Sequence, residues 1–343
     1  LNIDFRLKEA EPLLTAGQVM AYAQLPVVTK QACCGDCSKM LAQGHGKKKM
    51  KLAAKKNNVV AVTTPNLTFK IDRSTGLISE YVYNGKSLLG EGGTLKPNFW
   101  RAPTDNDMGA GLQKKFKAWK NPQMNLKNIE VKKDKKTNSV TILTSFDMPE
   151  VQGQMDITYV VFANTGAVKV TEDFKATEGA KVSDMFRFGM LMQMPYTMEK
   201  SNYYGRGPIE NYSDRKDCMR IGVYTDDADN QYFPYIRPQE SGTKSDIRWW
   251  KQTDATGLGL QVKSCTPFYA SAIHFDTEEL DDGDDKEQRH SFDLKKSKFT
   301  NLFLDSAHMG VGGENSWGAW PLEKYRVHYG NKTFTFTLIP QGK

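Results

Sequence analysis

The chain has 343 residues, 39% hydrophobic and 25% charged, and no apolar run approaches the roughly 20 residues that a helical membrane span requires, which excludes helical membrane and fibrous classes. Its net charge is +7, but Lys47, Lys48, Lys49, Lys51, Lys55 and Lys56 crowd into ten positions and the remainder is nearly neutral. A nucleic-acid binder would carry its basic excess on a folded face, so that class is disfavoured and no acidic substrate is implied.

At about 150 residues per domain, the length suggests two domains. The opening LNIDFRLKEAEPLLTAG has neither a basic n-region nor an apolar h-region, so no signal peptide is expected there. With no initiating Met, the chain reads as a fragment of something longer, and its compartment stays open. Val19 to Val28 (VMAYAQLPVV) suits one or two strands. Thr29 to Lys56, with CCGDC, GHG and the lysine run, reads as a flexible Lys/Cys-containing linker. Cys33, Cys34 and Cys37 cluster while Cys218 and Cys265 stand alone, too uneven a set for a disulfide framework.

From Asn57 onward, strands dominate. Leu67 to Ile71 and Leu77 to Tyr83, followed by Asn84-Gly85, read as hairpin segments, because a type I′ turn needs positive φ at both central residues. Val140 to Phe146, Ile157 to Phe162, Ala167 to Phe174, Met185 to Met192, Leu258 to Val262, Tyr269 to Phe275, Phe299 to His308 and Thr333 to Leu338 are β-rich or alternating. Only Lys114 to Trp119 suggests helix. The expected fold is all-β, a large many-stranded antiparallel β-sandwich over 57–343.

Most local motifs have bland readings. CCGDC holds one C-x-x-C without a second ligand pair, so surface thiols are expected rather than a metal site. Asp281-Asp282-Gly283-Asp284-Asp285 lacks the spacing of a calcium loop and reads as a solvated hairpin tip. His274, His290, His308 and His328 are scattered, and neither a G-x-S-x-G elbow nor a phosphate-cradling loop is present. Three segments are denser. NFWRAPTDNDMG (98–109) contains Arg101, Asp105, Asn106 and Asp107 around one proline. YYGRGPIENYSDR (203–215) sets out Arg206, Glu210, Asn211 and Asp214, with Arg237, Glu240 and Trp249-Trp250 downstream. HMGVGGENSWGAW (308–320) offers Trp317 on a Gly-rich loop. Aromatic faces, carboxylates and guanidinium groups together suit a sugar site, although mutual ion pairing would explain the same residues.

In this order and at these separations, NFWRAPTDNDMG, YYGRGPIENYSDR, PYIRPQESGTKSDIRWW and HMGVGGENSWG resemble the C-terminal domain of the large bacterial glycoside hydrolase family 2 β-galactosidases. The resemblance covers 57–343 and implies a galactose mutarotase-like supersandwich. Residues 1–28 then resemble the closing strands of the family's preceding immunoglobulin-like domain. The family's two catalytic glutamates lie in an upstream TIM barrel, as does its magnesium, with sodium a further candidate ion. No catalytic residue and no metal ligand is therefore expected in this chain.

What the resemblance assigns here is substrate completion. Trp317 would be an apolar platform at the barrel mouth, with Asn315, Glu314, Met108 and Gly109 as neighbouring substrate-binding candidates, and Met108 to Lys115 would be a mobile segment. Arg101, Asp105, Asn106, Asp107, Arg206, Glu210, Asn211 and Glu240 would be polar sugar-site or structural residues. Glu314 stands where the family often has Asp, and the cysteine- and lysine-rich tract has no counterpart. Mutarotase chemistry would need a His and Glu pair on the concave face; Glu240 is a candidate, and no histidine matches it. The expected partners are a β-galactoside such as lactose, a TIM-barrel domain in cis or in trans, and a second copy in a homo-oligomer, with neither nucleic acid nor membrane. A free-standing carbohydrate-binding sandwich and the small subunit of a two-chain enzyme are the alternatives.

Overall fold

The computed structural model describes residues 1–27, 41–42, 48–54, 58–287, 289–315 and 318–342. It divides into two compact units, one within 1–33 and one within 34–343. The first is an antiparallel hairpin of β1 (Asn2–Arg6) and β2 (Val19–Gln24), with Asn2 opposite Gln24.

The second unit holds two sheets. Strands β3 (Lys51–Ala53), β4 (Val59–Thr63), β5 (Leu67–Asp72), β6 (Ile78–Tyr83) and β7 (Lys86–Ser87) pair in chain order. Asn84 and Gly85 have φ of 49° and 76°, the turn that their sequence predicts. Leu67, Phe69 and Ile71 of β5 are buried while Thr68 and Lys70 are not, the period-two signature of a half-buried strand. The tract read as linker enters this sheet at its end, since Lys51–Ala53 forms β3, and Leu41 packs with Phe162 and Ala167.

The larger sheet takes β8 (Leu95–Asn98), β9 (Asn125–Asp134), β10 (Ser139–Met148), β11 (Gly153–Phe162), β12 (Val168–Ala176), β13 (Arg187–Pro195), β14 (Lys200–Gly207), β15 (Arg220–Asp227), β16 (Lys244–Thr253), β17 (Gly259–Ile273), β18 (Phe299–His308) and β19 (Lys332–Gln341). Its order is β15-β14-β16-β17-β19-β12-β11-β10-β9, and a branch runs from β17 through β18 and β13 to β8. Strand β17 makes the branch: Gly259 to Ser264 pair with β19, and Tyr269 to Ile273 pair with β18. Every pairing is antiparallel, and alternate residues of both sheets enter one core, where Phe69 of β5 meets Tyr159 of β11 with ring centroids 6.0 Å apart. This is the many-stranded antiparallel sandwich expected from the sequence.

Three departures have physical causes. Strand β17 is one strand where two were read, because Ser264 to Pro267 interrupt its alternation without ending it. Strand β9 was missed because NLKNIEVKKD lies at the sheet edge with much of its surface in water. Strands β14 and β16 run into YYGRGPIENYSDR and PYIRPQESGTKSDIRWW, where glycines and charges mask the alternation. Helix is confined to short pieces, among them Asp105–Gly109 and Leu112–Lys115, followed by a 3₁₀ turn at Lys117–Trp119.

Candidate functional site

The segment after β8 folds on its own polar groups. Thr104 caps the helix Asp105–Gly109: its hydroxyl accepts from the Asp107 N–H at 3.2 Å, and the Asp107 carboxylate accepts from the Thr104 N–H at 2.9 Å. The same carboxylate receives Nε and Nη2 of the fully buried Arg101 at 3.0 and 2.8 Å. Arg101 also donates to the carbonyls of Met309 (2.7 Å) and Gly310 (2.9 Å). Charge-assisted fork geometry of this kind fixes direction as well as distance. Downstream, Leu112, Phe116 and Trp119 are buried in the core, so of Met108 to Lys115, the segment read as mobile, Gly109, Lys114 and Lys115 are exposed while Ala110, Leu112 and Gln113 are buried.

Arg101 thereby fixes the strand-to-loop exit at residue 309, and two further side chains hold the next turn. Asp214 accepts from the N–H groups of Val311 (3.0 Å) and Gly312 (2.9 Å), and Asn106 Nδ2 donates to the Val311 carbonyl at 3.0 Å. A Cβ at Gly310 would lie 2.3 Å from Asp214 Oδ2, and one at Gly318 would lie 2.6 Å from the Gly109 carbonyl. Glycine is required at both points by close approach. Trp320 closes the far end, edge-on to Phe116 at 5.6 Å, with Lys115 and Arg326 over its ring. The loops carrying Met108-Gly109 and Glu314-Asn315 therefore lie side by side. Trp317 is outside the described residues.

The second motif is equally occupied. Arg206 donates to Asp246 at 2.5 Å and to the Met219 carbonyl at 2.7 Å. Asn211 is fully buried: its amide donates to the carbonyls of Arg206 and Ile209, and its oxygen accepts from Ser245 N–H and Oγ. Glu210 accepts from Arg215, the Tyr235 hydroxyl and the Gly242 N–H (2.7 Å). A cleft of about 570 Å³ opens beside it, lined by Glu210, Arg215, Phe233, Tyr235, Asp226 and Lys244 among others.

Glu240 belongs to a buried cluster that sequence reasoning did not assemble. It accepts from Thr243 Oγ1 at 2.8 Å and Tyr212 Oη at 3.4 Å, and lies 3.6 Å from Arg187 Nη1 and 3.8 Å from His308 Nε2. A histidine does stand by Glu240, which corrects the reading that none matches. Arg187 reaches Asp305 at 2.8 and 3.1 Å. Burial pushes the Asp305 carboxyl up to about 7 against the pull of Arg187, with Glu240 adding to the rise. Burial, then the guanidinium groups of Arg187 and Arg101, hold the His308 imidazole well below its usual value. Arg187, Asp305 and His308 sit in FRFGMLM and LFLDSAH, and a charge interrupting an apolar strand is the signal that could have marked them.

The acidic run is a solvated tip only in its second half, because its first two carboxylates are buried and paired. Asp281 takes Trp100 Nε1 (2.8 Å) and Lys120 (2.6 Å), and Asp282 takes Arg237 (2.8 Å) and Arg289 (2.7 Å). The more exposed Asp284 and Asp285 meet Lys117 and Lys114. Arg237 also donates to Asp105 at 3.2 Å, tying this run to the capped helix. Among the described cysteines, Cys218 is a free, exposed thiol, and Cys265, read as standing alone, is disulfide-bonded. Cys33, Cys34 and Cys37 lie outside the described residues.

The family described as β-galactosidase small chain matches residues 63–338. A β-galactosidase of Priestia megaterium is 29% identical over 343 residues, 99% of this chain and 31% of that protein. One of Lactobacillus delbrueckii subsp. bulgaricus is 34% identical over 222 residues, 64% of this chain and 21% of that protein. Among solved structures, a protein assigned as an aldose 1-epimerase from Escherichia coli K12 shares 9% identity at a TM-score of 0.43, over 85% of this chain and 99% of the other. The chain spans a third or less of the length of these curated relatives. With the family match covering most of the larger unit, the chain belongs to the β-galactosidase small-chain family.

Proposed function

We propose that this chain is the substrate-completing C-terminal part of a β-galactosidase that hydrolyses terminal β-D-galactosides such as lactose. The catalytic glutamates, and the magnesium with sodium as a further ion, would belong to a TIM-barrel portion supplied in cis or in trans. The observation that carries this reading is the interlocked pair of loops at 105–109 and 309–315. Arg101, Asp107, Asp214 and Asn106 hold their backbones, so a side chain presented from them is preorganised before substrate arrives.

In this reading Trp317 covers an apolar face of the galactosyl ring while Asn315 and Glu314 flank it. Burying a large aromatic surface is worth about 1.5–3 kcal/mol. In the complete polypeptide, Trp317→Ala should therefore raise KM about ten- to a hundred-fold, with Trp317→Phe losing less. An unchanged KM together with a lower Tm would make the ring a packing residue and defeat the platform.

A further inference from the structure

A soluble domain buries large apolar side chains or scatters them singly, and one region of this chain does neither. Ile209, Phe233, Ile236 and Phe292 are 61%, 55%, 89% and 85% exposed. Local contacts draw their segments together. Phe233 and Tyr235 pack ring to ring at 4.6 Å. His290 stacks on Phe292 at 5.6 Å, and its Nδ1 lies 3.2 Å from the Ile236 carbonyl. Ser291 Oγ donates to the Tyr235 carbonyl at 3.4 Å. Ile209 and Phe233 also line the 570 Å³ cleft.

Ile236 cannot turn inward. Arg237, next to Ile236, is buried and held by Asp105, Asp282 and the carbonyls of Pro103 and Pro238. Rotating the segment to hide Ile236 would expose that guanidinium and take from the buried Asp282 carboxylate one of its two guanidinium partners. A fixed apolar patch beside a cleft marks an interaction surface.

We infer that residues 233–236 and 290–292, with Ile209, form the surface on which the remainder of the β-galactosidase polypeptide docks. Two observations select that occupant. Relatives that match 99% of this chain continue for about twice its length beyond the match, so a large covering body accompanies it. Arg237 also joins the patch directly to Asp105, at the start of the capped helix, so a body seated on Ile236 and Phe292 adjoins the loop pair assigned to substrate. The partner face must be apolar at its centre, since a charge facing Phe292 and Ile236 would be desolvated without a counter-ion. This inference rests on the proposed function for its occupant.

The test is hydrogen–deuterium exchange on the complete polypeptide, with Phe292→Asp and Ile236→Asp compared with the parent. In the parent, amides of 233–236 and 290–292 should be protected. Either substitution should speed their exchange at least tenfold and raise KM for an aryl β-galactoside about tenfold, with the Tm of the sandwich unchanged because both side chains are exposed within it. Unprotected segments in an active enzyme would overturn the surface and leave the function standing. Protected segments that open in the variants of a polypeptide without galactosidase activity would keep the surface and overturn the function. Protection lost on dilution would assign the patch to a second copy and overturn the inference.

Discussion

Glu172 faces the core of β12 with both carboxylate oxygens unpartnered among the described residues, near a Tyr159 hydroxyl in the same condition. Burial pushes its carboxyl well above the usual range, and Asp305 adds to the rise. A raised carboxyl keeps its proton in the folded state at pH values where the unfolded chain has released it. Stability from such groups is present at low pH and falls as pH rises from about 4, through the value near 7 to which Asp305 is pushed. Glu172→Gln removes one of these protons from the balance. Denaturant unfolding should show a gain of roughly 1–3 kcal/mol at pH 8 and little change at pH 4; equal effects at both pH values would show that Glu172 titrates normally. Period two sets Glu172 in phase with Val168, Val170 and Phe174 on the inward face, but sequence gives no sign that its carboxylate finds no partner there.

Elements were legible where one local rule decides them. Asn84-Gly85 fixes its hairpin through positive φ, and Thr333 to Leu338 alternates against a single core face. The candidate site was legible as three dense motifs, but its wiring was not, because Arg101 meets Met309 and Asp214 meets Val311 across more than ninety residues of chain. The loop at 309–312 provides an element-scale test. Gly310→Ala would drive a methyl into Asp214 and displace the carboxylate from two N–H groups, at a cost of about 1–3 kcal/mol. Asp214→Asn should cost less, since its remaining carbonyl can still accept one N–H. A Tm unchanged in both variants would show that the loop base does not depend on this anchor. The acidic run makes a parallel case: Asp282→Asn removes the partner of two guanidinium groups at a buried site and should cost roughly 3 kcal/mol, whereas Asp285→Asn, at an exposed pair, should leave the midpoint where it is.

Across the described residues, the carboxylates most enclosed by the motifs already have partners. Asp107 is locked to Arg101, Asp214 to two backbone N–H groups, Glu210 to Arg215, Tyr235 and Gly242, and Asp305 to Arg187. A retaining glycosidase needs two carboxyl groups about 5–5.5 Å apart across the glycosidic bond, one to donate a proton and one to attack. A carboxylate whose oxygens are already taken by guanidinium, hydroxyl or backbone donors is poorly placed for either task, since it is held toward those donors and not toward a glycosidic bond. Glu240 comes nearest to an acid–base pair through His308, but His308 is fully buried and Glu240 nearly so, which leaves little of the pair for a substrate to reach. The 343-residue chain alone is therefore predicted to release no nitrophenol from an aryl β-galactoside, and adding the barrel portion should restore turnover if the two parts associate. The decisive comparison sets the purified chain beside its Glu210→Gln and Glu240→Gln variants: turnover by the chain that either substitution abolishes would place catalytic carboxylates within this sandwich and overturn its assignment as a completing part.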